Sequence, residues 1–247
     1  MSAQSKTIQA TNSEIEDASW KSLFKVGGVA ALAIVAIALI QAPVFILYPQ
    51  PVTVIGHFAQ FQENILLGLV DLDLILIIAE ACMVPVLFAL YAALRRVNPA
   101  QMTIALIFGL GGIAFFFAIN PTFSILYLSD QYAAAATDIQ RAAFLSAGEA
   151  LTANYNGTAF GLFFILGGVA DLIIASVMLK SGVFSKVTAY IGMAVGAMLL
   201  VPPLPFLGIF PLVLSYVVIL PSMIWSVLIA LRLFKLGRSN PIPDKSQ

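Results

Sequence analysis

The stretch LVDLDLILIIAEACMVPVLFALYAALRR, Leu69 to Arg96, decides the class of this chain. It is apolar over a length that crosses a bilayer, yet it carries Asp71, Asp73 and Glu80 and no Lys or Arg before Arg95. A hydrocarbon core of about 30 Å takes roughly 20 apolar residues in a helix. Starting the span at Leu74 leaves enough length and puts Asp71 and Asp73 at the outer interface, near the positive end of the helix dipole. Glu80 lies inside the span on either choice. Asp73 and Glu80 are one heptad apart, so they share a helix face, about 10 Å from each other along the axis.

The rest of the chain has the same character. Of its 247 residues, 61% are hydrophobic and 10% charged, and the mean hydropathy is +1.00. Soluble domains carry about a quarter charged residues. So few charges do not solubilise a globule of this size, and the solvent is lipid. A net charge of zero gives no footing for a nucleic-acid partner. The single cysteine, Cys82, lies in an apolar run and offers neither a disulfide framework nor a cysteine metal site.

Six stretches are apolar enough to span, at about 24–48, 70–94, 102–127, 157–180, 187–207 and 212–234. The expected fold is an all-α integral membrane protein, a bundle of six transmembrane helices with an extra outer-surface helix between spans three and four. That helix is read from SDQYAAAATDIQRAAFLSAGEALTAN, which is rich in strong helix formers, with Ser129 or Asp130 as its cap and Asp138 placed to pair with Arg141. Tyr48, Tyr127, Tyr132 and Tyr155 gather near the same boundary, as aromatic belts do. The prolines of VPPLPFLGIFP end the fifth span.

Residues 1–22 read as a polar cytoplasmic tail, 23–236 as the six-span domain and 237–247 as a cytoplasmic C-terminal tail. The first apolar run is too long for a secretory signal and lacks its cleavage site, so it is a retained span. Ser13 and Glu16 have capping-box spacing, which predicts a short interfacial helix with Trp20 at the membrane surface. Lys6, Lys21, Lys25, Arg95, Arg96, Lys180, Lys186, Arg232, Lys235, Arg238 and Lys245 all fall on one side of this arrangement, and only Arg141 on the other. Basic residues accumulate on the cytoplasmic face, so both termini are expected there, in a prokaryotic inner membrane.

Asp171, in LGGVADLIIASVMLK, lies within span four. Spans two and four run in the same direction, so Glu80 and Asp171 reach comparable depths. Gln41 and Asn120 add polar groups in the outer halves of spans one and three. No Lys, Arg or His in a span interior neutralises these acids. They are protonated and hydrogen-bonded for structure, or they bind a proton or cation, or they line a polar ligand pocket. Pro85 frees a backbone carbonyl near Glu80. Gly157 with Gly161, and Gly192 with Gly196, have the small-xxx-small spacing of close helix packing. Trp225 lies midway along span six, where it packs in the bundle.

Absent motifs exclude much chemistry. The one histidine, His57, falls in an outer loop, so neither a multi-histidine metal centre nor bis-histidine haem fits within the chain. There is no mid-span lysine for a Schiff base, no Gly-x-Ser-x-Gly and no phosphate-binding loop. No catalytic, cofactor or metal residue is assigned. An intramembrane aspartyl hydrolase ranks last among the readings, because only the bare aspartates of LVDLD and GGVAD suggest it.

The block NGTAFGLFFILGGVADLIIASVMLKSGVFSKVTAYIGMAVGAMLL, residues 156–200, with its LKSGVF and YIG, resembles bacterial and archaeal membrane proteins grouped as domain of unknown function 4386. The resemblance covers residues 20–236. It implies a prokaryotic inner-membrane six-helix bundle and carries over no site residue, because the family has no established activity. The leading expectation is a non-enzymatic membrane protein that binds a small apolar or lipid-like ligand, a partner membrane protein or a second copy of itself. The alternative is a small proton- or cation-coupled transporter using Glu80, Asp171 and Asp73.

Overall fold

The structure, a computed structural model, describes residues 3–48, 50–201 and 210–238; the side chains at 3–19, 42, 45, 46 and 210–216 lie outside that description. The described residues are helical, without a strand. In chain order the helices are α1 (Ala3–Leu47), α2 (Val54–Glu63), α3 (Ile65–Asp71), α4 (Leu74–Leu94), α5 (Pro99–Ile119), α6 (Thr122–Ala134), α7 (Asp138–Tyr155), α8 (Thr158–Lys180), α9 (Lys186–Leu199) and α10 (Phe210–Arg238). Five helical segments are long and apolar enough to cross a bilayer: Trp20–Gln41, Leu74–Leu94, Pro99–Ala134, Asp138–Lys180 and Val217–Arg238. Helix α9 is a shorter apolar helix. This is a membrane protein.

The long helices form a ring in sequence order. α1 packs on α4, α4 on α5, α5 on α8, α8 on α9 and α9 on α10, and α10 returns to α1. Small residues set the seams. A Cβ on Gly27 would lie 2.5 Å from Ala89 Cβ. One on Gly168 would lie 2.8 Å from the Gly196 carbonyl oxygen. Backbones this close gain dispersion contacts that lipid tails do not supply. The ring encloses one continuous apolar core that includes Leu87, Leu94, Met102, Ile174, Met178 and Leu233.

Helices α2, α3, α6 and α7 pack together as a cap, touching the ring where α3 meets α4 and α7 meets α8. The cap has its own small core of Val54, Phe58, Phe61, Leu72 and Ile125. At the opposite end the Arg95 guanidinium lies 4.4 Å from the centre of the Trp20 ring, and Gly237 of α10 abuts Lys25 of α1. That end is the basic one.

Several expected boundaries move, each for a local reason. The third stretch breaks at Asn120–Pro121, and α6 starts afresh at Thr122. Proline forces the preceding residue out of the helical region, and Asn120 has ψ 121°. The single outer helix is two, α6 and α7, because Ala135 is extended and Thr137 begins a new helix. Thr137 and Gln140 form a reciprocal capping box, so the cap residue is neither Ser129 nor Asp130. The Asp138–Arg141 pair forms at 3.4 Å.

The connection after the first span, read as a loop, holds α2 and α3, capped by Thr53 and Asn64. His57 is therefore on a helix, and buried. Helix α1 runs unbroken from Ala3, so no separate short helix begins at Ser13. Residues 202–209, with most of the proline-rich segment, and the tail from 239 lie outside the described residues.

Candidate functional site

The acids occupy two levels. The upper level is the junction between cap and ring. Asp71 is the last residue of α3 and is 1% exposed. The Gln60 side-chain amide donates to Asp71 Oδ2, and the Gln50 amide donates to the Asp71 carbonyl. Asp71 Oδ1 and Gln60 Oε1 are buried with no donor among the described residues. Burial pushes the Asp71 carboxyl above its ordinary range, with the Gln60 bond opposing.

Asp73 sits between α3 and α4 at φ 67°, ψ 24°, in the left-handed region that short polar side chains tolerate best. This twist aims its carboxylate away from the α4 amides and toward the cap, where Tyr155 Oη donates to Oδ2. Burial pushes Asp73 up to about 6; the Tyr155 bond opposes the shift and nearby Asp71 adds to it. Between the two acids, the Leu72 carbonyl accepts from Asn120 Nδ2 at 3.3 Å and from Thr122 Oγ1. Asn120 in turn accepts from the Thr122 N–H at 3.1 Å. All four helices of the cap and the ends of two ring helices thus meet on residues 71–73.

The lower level lies inside the ring. Glu80 of α4 faces inward above Leu87, one heptad on, which packs on Gly109 of α5. α4 also touches α8 across the ring, and there the carboxyls of Glu80 and Asp171 are near enough to interact electrostatically. No basic side chain joins them among the described residues. Helix α4 continues through Pro85, which leaves the Ala81 carbonyl without its helical N–H, beside Glu80.

The structure therefore groups Asp71, Asp73 and Asn120 at the junction, and Glu80 with Asp171 in the ring. Gln41 stands apart, half-buried on α1. Of the glycines, Gly192 faces the Trp225 ring at 2.6 Å from its would-be Cβ, and Gly196 faces α8. Gly157 is the turn residue before α8, where an added Cβ would meet the Ala153 carbonyl at 2.9 Å, rather than a contact between spans. Gln50, Gln60, Thr122 and Tyr155 were not legible as site residues. Tyr155 has the sequence position of a belt aromatic, yet it is buried and bonded to Asp73. Tyr48 and Tyr127 do stand exposed.

A family model described as domain of unknown function (DUF4386) matches residues 28–237. The chain belongs to the DUF4386 family. The matched region takes in the whole cap and at least part of every ring helix, and so every residue of both acid levels. No curated protein and no solved structure matches this DUF4386 chain.

Proposed function

We propose that this DUF4386 protein is a six-span transporter of a small solute, coupled to a proton or a cation held between Glu80 and Asp171. On this reading the shorter apolar helix α9 belongs to the fifth of the six spans. Both termini and the basic end face the cytoplasm of a prokaryotic cell, and the cap faces outward. The observation that carries the reading is that Glu80 and Asp171, on the touching ring helices α4 and α8, are close enough to interact electrostatically with no base beside them among the described residues. An ionised carboxylate in hydrocarbon costs several kcal/mol. The pair therefore keeps a proton or a cation while the ring is closed. It releases that charge only when water reaches it, which is the property a coupling site needs.

An infrared titration of the carboxyl groups in bilayer-reconstituted protein tests this. The expected result is a protonated-carboxyl band near neutral pH that titrates, responds to cations, and is lost or shifted in Glu80→Gln and Asp171→Asn. A band that never titrates, or one unchanged in both variants, overturns it.

One observation favours a second reading, an apolar-ligand binder. A groove of about 720 Å³ runs between α6 and α7, walled by Phe123, Tyr127 and Leu151 with Ser124 and Asn154 at its polar points. That volume suits a small apolar ligand. Under this reading the acids are structural, and Glu80→Gln reduces folded yield without altering any titration.

A further inference from the structure

Independently of what Glu80 and Asp171 carry, we infer that the basic end of the seam between α9 and α10 holds the headgroup phosphate of an anionic phospholipid, with Arg232 as its central contact. One close approach fixes the seam, the Trp225 ring of α10 against Gly192 of α9. The two helices run in opposite directions. Seven residues toward the basic end therefore bring α10 to Arg232 and α9 to Ser185, each about 10 Å further along. A heptad keeps the face, so Arg232 lies on the side of α10 that Trp225 turns to α9. Lys186 begins α9 at that level, and Lys235 follows Arg232 by about one turn; both are exposed.

Among the described basic side chains, only Arg232 buries a nitrogen without an acceptor: its Nε is shut off while the rest of the side chain stays half-buried. No acid is at hand. Every acid with a described side chain lies in the cap, at its junction with the ring, or in the Glu80–Asp171 pair. Lys186 and Lys235 likewise form no ion pair among the described residues. A buried donor without an acceptor is unfavourable, and a phosphate offers two oxygens that match the guanidinium fork. From these cations toward the membrane middle, both helices turn apolar side chains outward. Val187 and Tyr190 on α9 and Leu231 and Ile224 on α10 are between 45 and 63% exposed. That strip suits acyl chains, which assigns the phosphate to a lipid. Lys186 and Lys235 favour a net negative headgroup over one whose own ammonium cancels its phosphate.

Native mass spectrometry of the delipidated full chain in neutral detergent tests this. The probes are dioleoyl phosphatidylglycerol, dioleoyl phosphatidylcholine and inorganic phosphate. The first phosphatidylglycerol is expected to bind at least fivefold tighter than phosphatidylcholine, and millimolar inorganic phosphate is expected not to displace it. Arg232→Gln brings the ratio of the two lipids below twofold. Should that variant fail to fold, the double variant Lys186→Gln, Lys235→Gln changes exposed positions only and is expected to lower the same ratio. Arg141→Gln, in the cap, removes one positive charge at the far end and leaves the ratio as in the wild type.

Equal affinity for the two lipids in the wild type overturns the inference. So does a ratio that survives in Arg232→Gln and in the double lysine variant, or one that falls as far in Arg141→Gln, which makes the preference a matter of net charge alone. Displacement by inorganic phosphate shows that the seam takes the free anion and overturns the lipid assignment. The infrared titration of the carboxyl groups bears on none of these outcomes.

Discussion

At the scale of single residues, Asp73 gathers the most constraints. It bends the chain between α3 and α4, accepts a bond from Tyr155, and lies beside Asp71. Its carboxyl is pushed from an ordinary 3.8 up to about 6, so the folded state holds this proton more tightly than the unfolded one. Stability from this group is therefore full below about pH 4 and is lost as pH rises through 6. The tighter hold on the proton is worth at most about 3 kcal/mol. Asparagine tolerates the same left-handed backbone and still accepts from Tyr155. Asp73→Asn is therefore expected to raise the apparent melting temperature at pH 7 and to flatten its increase between pH 7 and pH 4.5. A melting curve whose pH dependence is unchanged in the variant contradicts this role for Asp73. The acids were legible in the sequence because charge in an apolar run is conspicuous. Gln50, Gln60 and Tyr155 were not, because such residues are ordinary in connections and belts until the fold brings them to Asp71 and Asp73.

At the scale of elements, close packing sets the order of neighbours. The Trp225 ring of α10 lies against the bare Cα of Gly192 on α9, with no room for a methyl group. Gly192→Ala is expected to destabilise by about 1–3 kcal/mol through overpacking. Trp225→Leu alone leaves a void, but combined with Gly192→Ala it gives the methyl group room. The pair should then fall short of additivity by about 1 kcal/mol or more in thermal melts of purified protein. Strict additivity shows that the two groups do not touch. The breaks between elements had mixed legibility. Pro121 and the Thr137–Gln140 box are visible in the chain, but hydrophobicity runs through the first of them, and a span drawn on hydropathy continues across it. The cap helices α2 and α3 were hidden for another reason. They are short, and their apolar faces make sense only against α6, which lies far along the chain.

At the scale of the whole molecule, the ring sets α1 beside α10 with their basic ends together, Lys25 against Gly237. On the six-span reading, reporters fused before Trp20 and after Arg238 share a compartment, and one inserted between α6 and α7 lies in the other. Alkaline phosphatase active after Arg238 but inactive at residue 136 reverses the orientation. Fusions before Trp20 and after Arg238 that report opposite sides rule out six spans.

The sequence by itself determined that the solvent is lipid, that the elements are helices, and that unneutralised acids lie among them. Each of these follows from local quantities: hydropathy over about 20 residues, spacing along a helix, and the lack of nearby basic groups. Tertiary structure alone decided that Glu80 comes within electrostatic reach of Asp171 and that Asp73 is held by Tyr155. These partners are separated by about 80 to 90 positions in the chain, and hydropathy carries no memory of which distant helix a face will meet. That choice depends on where glycines let backbones approach and where bulkier side chains hold them apart.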